Sequence, residues 1–226
     1  MGYKCVYMLS EIKEYLKNTV LFAFDFETSP CDKWRNDKSA ALDAHKADIT
    51  GISFSVSEGT AIYVPLKHRS GRNAENQAAI WDYLKLLFES KDVIKVAHNL
   101  AFESMFLYAR GIVLQKPCYD TIAASQLTLK SKWEFRSLAD SGLKTLAPAL
   151  CKAEMTEFST VTDGRLFDEL NPQNEQTIRY ACADSDYTLR LYHVFNQWFD
   201  RFLPKHRTIC GRGRIAYISI CRDNEV

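Results

Sequence analysis

The run Val20-Leu-Phe-Ala-Phe-Asp-Phe-Glu27 constrains this chain more than any other segment. Its length and its apolar, aromatic content predict a buried strand over Val20–Phe26, ended by the Ser29-Pro30 pair. Side chains two apart on a strand share a face. Phe24 and Phe26 therefore enter one side, while Asp25 and Glu27 project together from the other. Two carboxylates side by side repel by roughly 4 kcal/mol at about 4 Å and an effective dielectric near 20. A cation placed between them reverses that sign. A strand edge that has simply become exposed would hold the same pair, so D-x-E alone is a weak signal.

The pattern around this strand predicts an α/β fold. Residues 10–18 read as a short amphipathic helix capped by Ser10. Ile52, Phe54 and Val56 alternate with Ser53, Ser55 and Ser57, the period of a half-buried strand. After a turn at Glu58-Gly59, residues 61–66 alternate again, giving a hairpin. A helix follows over 78–89, with Ile80, Tyr83, Leu84, Leu87 and Phe88 at helical spacing. Residues 93–97 are a short strand. The next helix is capped by Asn99, buries Phe102, Met105, Phe106 and Ala109, and ends at Gly111. Asp120 caps another helix, and Ser137 with Asp140 has the spacing of a capping box. A long helix runs from Gln173 to about Phe202, started by Asn171-Pro172. The expected architecture is a mixed sheet with an antiparallel three-strand meander at the start and helices on both faces. The expected divisions are a helical lead-in over 1–19, a domain over 20–203 and a basic tail over 204–226.

Two further segments carry candidate chemistry. His98-Asn-Leu-Ala-Phe-Glu103 follows a strand and opens a helix, the place where open α/β sheets set their sites. Glu103 is also an ordinary first-turn acid favoured by the helix dipole, and His98 reads as structural. In Tyr180-Ala-Cys-Ala-Asp184, residues four apart on a helix share a face. Tyr180 and Asp184 thus project together, Cys182 faces the core and Asp186 lies off that face.

Charge narrows the partners only a little. The net charge of +1 divides into six basic residues against two acids over 201–226, or +4, and 23 against 26 over 1–200, or −3. A basic end on a slightly acidic body suits contact with a polyanion. The seven cysteines form no C-x-x-C pair and are odd in number. That argues against a zinc site or a disulfide framework and for reduced thiols in a cytoplasmic setting. No apolar run of signal-peptide or membrane-spanning length is present.

Taken in order, D-x-E, N-x-x-F-E and Y-x-x-x-D each sit in the secondary structure that aims their acids at one point. With these segments the chain resembles the 3′→5′ proofreading exonuclease domain of polymerase I-type (family A) DNA polymerases, in the tyrosine subclass of the ribonuclease H-like DEDD superfamily. The hairpin DITGISFSVSEGTAIYVPL, the segment VIKVAHNLAFES, and the helices YDTIAASQLTL and SLADSGLKTLA extend the resemblance over roughly residues 20–195. It implies phosphodiester hydrolysis with two divalent ions, Mg²⁺ or Mn²⁺, held by Asp25, Glu27, Glu103 and Asp184. Asp25 would bridge both ions, Glu27 and Asp184 would complete the first, and Glu103 would serve the second. Tyr180 would orient the attacking water. Thr28, Asn99 and Phe102 would contact the terminal nucleotides of a single-stranded DNA 3′ end.

The family's second motif ends in Asp, and here position 103 is Glu, which moves that carboxylate outward by about one carbon–carbon bond. A ribonuclease D-like RNA exonuclease and a non-catalytic binding module on the same fold are the competing readings. With 226 residues there is no room for a polymerase palm. The expected protein is a monomer, either a stand-alone exonuclease, the partner of a separate polymerase subunit, or the front of a truncated gene. It needs no membrane.

Overall fold

The computed structural model describes residues 2–130, 132–139 and 141–202. The tail over 204–226 and the acid of the expected capping box, Asp140, lie outside the described residues. The strands are β1 (Gly2–Cys5), β2 (Leu21–Pro30), β3 (Ala47–Ser55), β4 (Thr60–Pro65), β5 (Ile94–Ala97) and β6 (Cys118–Asp120). The helices are α1 (Leu9–Tyr15), α2 (Gln77–Phe88), α3 (Leu100–Ala109), α4 (Thr121–Leu129), α5 (Leu143–Cys151), α6 (Phe158–Thr162) and α7 (Glu175–Phe202). Short 3₁₀ turns fill part of the connections.

The strands form one sheet in the order β1-β4-β3-β2-β5-β6. β2, β3 and β4 are the antiparallel meander, while β1 joins β4, β5 joins β2 and β6 joins β5, all in parallel. On one face Phe22, Phe24, Phe26, Ile52, Phe54, Ile62 and Val64 pack against α1, α2 and α3. The rings of Phe22, Phe24 and Phe26 all meet that of Phe88 on α2. Burying each such ring contributes about 1.5–3 kcal/mol. On the other face Ala23, Ile94, Val96 and Tyr119 pack against α4, α5 and α7. Helices thus cover both faces of a mixed sheet. Among the described residues no helix is long and apolar enough to cross a membrane.

Several local expectations change. The lead-in contains a strand, β1, as well as a helix, and α1 is capped at Met8 rather than Ser10. The Glu11 carboxylate there accepts the amides of Tyr7 and Met8. β3 is buried on both faces, with Ser53 and Ser55 fully covered on the α7 side, where small side chains let a helix lie close to the sheet. On α3 it is Phe106 and Leu107 that are buried, while Met105 is half exposed and Ala109 is exposed. β6 and its pairing with β5 have no counterpart in the sequence reading. α7 begins at Glu175, with the Asn171 and Asn174 side chains accepting the amides of Gln173 and Gln176 ahead of it.

A bulge marks the end of β2. Glu27 pairs with Gly51, and Thr28 pairs with Ile49, so Thr50 is the extra residue. Bulges of this kind re-aim side chains beside functional sites. Gly51 is required there for a second reason. A Cβ at this position would lie 2.0 Å from the Tyr63 hydroxyl. Tyr63 is fully buried and cannot swing away, because its hydroxyl is hydrogen-bonded to His68 Nε2 at 2.7 Å. Gly51→Ala is expected to destabilise the protein by about 1–3 kcal/mol through overpacking, read as a lower urea midpoint with an unchanged slope. An unchanged midpoint would show that Tyr63 yields freely.

Candidate active site

Three elements carry the acids to one place. β2 presents Asp25 and Glu27 on its α7 side, and the single-turn spacing on α7 presents Tyr180 and Asp184 toward them. Side-chain oxygens of Asp25, Glu27 and Asp184 lie within 4.8 Å of one another. The third element is α3, which only His98 and Asn99 separate from the end of β5. Its Glu103 is 2% exposed, accepts the Phe26 backbone amide and stands in the field of Asp25 and Glu27. Four carboxylates from distant parts of the chain therefore share one buried region.

Their protonation follows from that crowding. Burial raises the pKa of Asp25, and the neighbouring Asp184 raises it further. Burial, then Asp25 and Asp184, raise Glu27 well above the usual carboxylate range. Burial and Asp25 do the same to Glu103. Asp184 is raised by burial but held back by Lys144 and by a hydrogen bond from Tyr180. Tyr180 itself is pushed far up by burial and by the acids around it, so its hydroxyl stays protonated and donates to Asp184.

A divalent cation fits this arrangement. Glu27 Oε1 and Glu103 Oε2 are buried with no hydrogen-bond partner. An unsatisfied buried carboxylate oxygen is costly, and an all-oxygen set of hard donors is what Mg²⁺ or Mn²⁺ selects.

The remaining expected residues have distinct surroundings. The Thr28 hydroxyl donates to the Ala41 carbonyl at 2.7 Å, so it ties the connection between β2 and β3 back to β2. Asn99 sits at the head of α3 with φ 77° but makes no capping bond with its side chain. Capping falls instead to Asp120, whose carboxylate accepts the amides of Asn99, Leu100 and Ile122 and so fixes the starts of both α3 and α4. The Asn99 side chain is left exposed. Phe102 is half-buried and packs on Phe106 with ring centres 4.9 Å apart. Cys182 is in the core, and Asp186 is fully buried in a clamp made by Tyr3, the Gly59 amide and Arg190.

Two residues at the site escaped the sequence reading. Lys144, on the first turn of α5, bonds Asp184 and lies over the Tyr180 ring, 4.3 Å from its centre. A lysine beside a helix N-terminus opposes the helix dipole, and that misfit was the available signal. Phe158, on α6, is 45% exposed and packs edge-on against Tyr180 at 6.0 Å. Its segment carries no periodicity that would place it.

Comparison with known proteins agrees with this geometry. A family model described as 3′-5′ exonuclease matches residues 4–199. DNA polymerase I of Pseudomonas aeruginosa is 30% identical over 188 residues, which are 80% of this chain and 19% of the relative. DNA polymerase I of Rhizobium leguminosarum is 34% identical over 199 residues, 78% of this chain and 18% of the relative. The chain thus spans about a fifth of the length of these relatives. Brucella melitensis NrnC with bound Mg²⁺ superposes with a TM-score of 0.61 at 20% identity, covering 89% of this chain and 83% of that one. Escherichia coli RNase D, an exoribonuclease, superposes at 0.57 and 15% identity, covering 92% and 50%.

Proposed function

The chain belongs to the 3′-5′ exonuclease family of the DNA polymerase I type, and on that premise we propose that it removes nucleotides from single-stranded DNA 3′ ends in a metal-dependent reaction, as the proofreading partner of a polymerase in the cytoplasm. The observation that carries this reading is the meeting of Asp25, Glu27 and Asp184 oxygens within 4.8 Å, with Glu103 buried beside them. Asp25, Glu27 and Asp184 would hold one divalent ion, and Asp25 with Glu103 a second. Bound there, divalent ions supply charge neutralisation at the phosphate and a lowered pKa for an attacking water.

The side chains supply the rest. Tyr180 keeps its proton and is held by Asp184 and by the Phe158 and Phe167 rings. Its hydroxyl orients a water by hydrogen bonding and is not the base. Phe102 and Phe158 offer partly exposed rings beside the acids, on which any base can stack. Stacking of that kind accepts every terminal base, as a proofreader must. Asn99, with its side chain free of capping duty, is left to contact the terminal nucleotides. DNA is favoured over RNA because the relatives near 30% identity are DNA polymerases, whereas the ribonuclease D likeness is one of fold.

The test is timed digestion of matched 5′-labelled DNA and RNA oligonucleotides with Mg²⁺ or with EDTA. A ladder shortening from the 3′ end of DNA, absent in EDTA, is the expected result. Faster digestion of RNA would move the assignment to a ribonuclease, and no digestion of either would leave a binding module. Tyr180→Phe is expected to slow hydrolysis by about tenfold to a hundredfold, the effect of a misplaced reactant rather than of a lost catalyst. A rate equal to wild type would remove Tyr180 from the reaction.

A further inference from the structure

We propose that Asp120 is a positioning residue for the acid cluster: its carboxylate fills the nest of amides at the head of α3 and thereby holds Glu103 where it completes the second of the two cation positions. The proposal rests on the metal-dependent reading above. The pairing of β5 with β6 sets Asp120 beside Ala97, two residues ahead of Asn99. From there its buried side chain serves two helices at once. Oδ1 accepts the Ile122 amide at 2.8 Å, the ordinary duty of a cap toward its own helix, α4. Oδ1 also accepts the Asn99 amide at 3.3 Å, and Oδ2 accepts the Leu100 amide at 3.0 Å. Those two donors open a different helix, 21 and 20 residues earlier in the chain.

The head of α3 needs that support. Asn99 sits in the left-handed region, at φ 77° and ψ 58°, and its own side chain makes no capping bond. A residue other than glycine stays in that region only where its surroundings hold it there. A left-handed residue followed by a helical one turns successive N–H groups into a concave nest for an anion, and here the anion is the Asp120 carboxylate. The Asn99 carbonyl then accepts the Phe102 amide at 2.9 Å, which closes the first turn. Glu103 is the next residue, buried and with Oε2 lacking a partner. An α-helix fixes each residue relative to those before it, so a change in the turn at Asn99 and Leu100 is carried directly to that oxygen. The neighbouring Thr121 reinforces the junction, its hydroxyl donating to the Ala97 carbonyl and lying 2.8 Å from His98 Nδ1. Asp25, Glu27 and Asp184 stand on β2 and α7, outside these bonds, so the first cation position does not depend on them.

The experiment titrates the full chain with Mn²⁺ alone, without nucleic acid, counting ions by calorimetry and recording the coupled signal of paired Mn²⁺ ions by electron paramagnetic resonance. Wild type is expected to bind two ions. In Asp120→Ser the hydroxyl still caps α4 through Ile122 but cannot serve both α3 amides. The second ion is expected to bind about tenfold more weakly there, as for groups that orient metal ligands, with the first ion unchanged and the coupled signal lost. Asp120→Asn, which keeps an oxygen for Ile122 and sets its NH₂ group against the Leu100 amide, serves if the Ser form is poorly folded. Adding Asn99→Gly to either variant is expected to recover part of the loss, because glycine takes the left-handed conformation without support. Asn76→Ala strips a side-chain cap from α2, which carries none of the four acids, and is expected to leave both ions in place. An unchanged second ion in both Asp120 variants, equal weakening of the two ions, or no recovery with Asn99→Gly would overturn the positioning role. So would a second-ion loss in Asn76→Ala as large as in Asp120→Ser, or a wild type that binds a single ion. Wild-type protein that binds no Mn²⁺ would instead overturn the metal-dependent reading itself.

Discussion

Asp25→Ala and Asp184→Ala are each expected to lower 3′-end hydrolysis by about 10³-fold or more, a loss at least as large as that of one electrostatic stabiliser in a preorganised site. Asp25 is the common neighbour: its carboxylate acts on Glu27 and on Glu103, and is itself acted on by Asp184. Removing it deprives both prospective cation positions of an oxygen. Asp184 also accepts from Tyr180 and Lys144, so its loss frees the group that orients water. Binding of single-stranded DNA should persist, because Phe102, Phe158 and Asn99 are untouched. The check is digestion at saturating Mg²⁺ beside a fluorescence-anisotropy measurement of oligonucleotide binding. A variant retaining a tenth of the wild-type rate would mean that the acids on β2 and α7 are not the reaction centre.

The parts of this site that were legible in the sequence are those whose geometry is local. Period two on a strand aligned Asp25 with Glu27, and one helical turn aligned Tyr180 with Asp184. The central meander was legible because β2 is a long apolar run and the side chains of β3 and β4 alternate in polarity, although burial does not alternate along them. β1 was not, since four residues are too few to show a period, although Tyr3 and Cys5 share a half-buried face packed on the core. β6 has three residues, too short for any period. Ser53 and Ser55 misled because serine suggests solvent, whereas here small size is what the α7 side of the sheet demands. Lys144 left only the misfit of a lysine at a helix start, which names no partner, because that partner lies 40 residues away. Asn99 shows the reverse case, a residue with a good local explanation that the fold does not use, because Asp120 performs the capping.

The acid cluster should also govern how stability responds to pH and to metal. Asp25, Glu27, Glu103 and Asp184 are all raised in the folded protein, with burial the leading cause in each. In the unfolded chain they titrate near about 4. Between that value and the raised ones the native state binds more protons than the unfolded state, so stability falls as pH increases. The cluster therefore works against the metal-free fold at neutral and alkaline pH. His68 and His98, both held down to about 4, act in the opposite direction and lose stability as pH falls below the ordinary histidine range. Comparing wild type with Asp25→Asn cancels their contribution. In EDTA, Asp25→Asn is expected to melt higher than wild type, with the gap widening from pH 5 to pH 8. Adding Mg²⁺ at a hundred times its dissociation constant should stabilise wild type by about 2.7 kcal/mol, or roughly 5–10 °C for a chain of this size. That gain should shrink at pH 5, where protons compete for the same oxygens, and be largely absent in Asp25→Asn. If the two proteins keep the same melting difference from pH 5 to pH 8, and respond equally to Mg²⁺, then the buried carboxylates do not act together and the repulsion that makes them a cation site is not there.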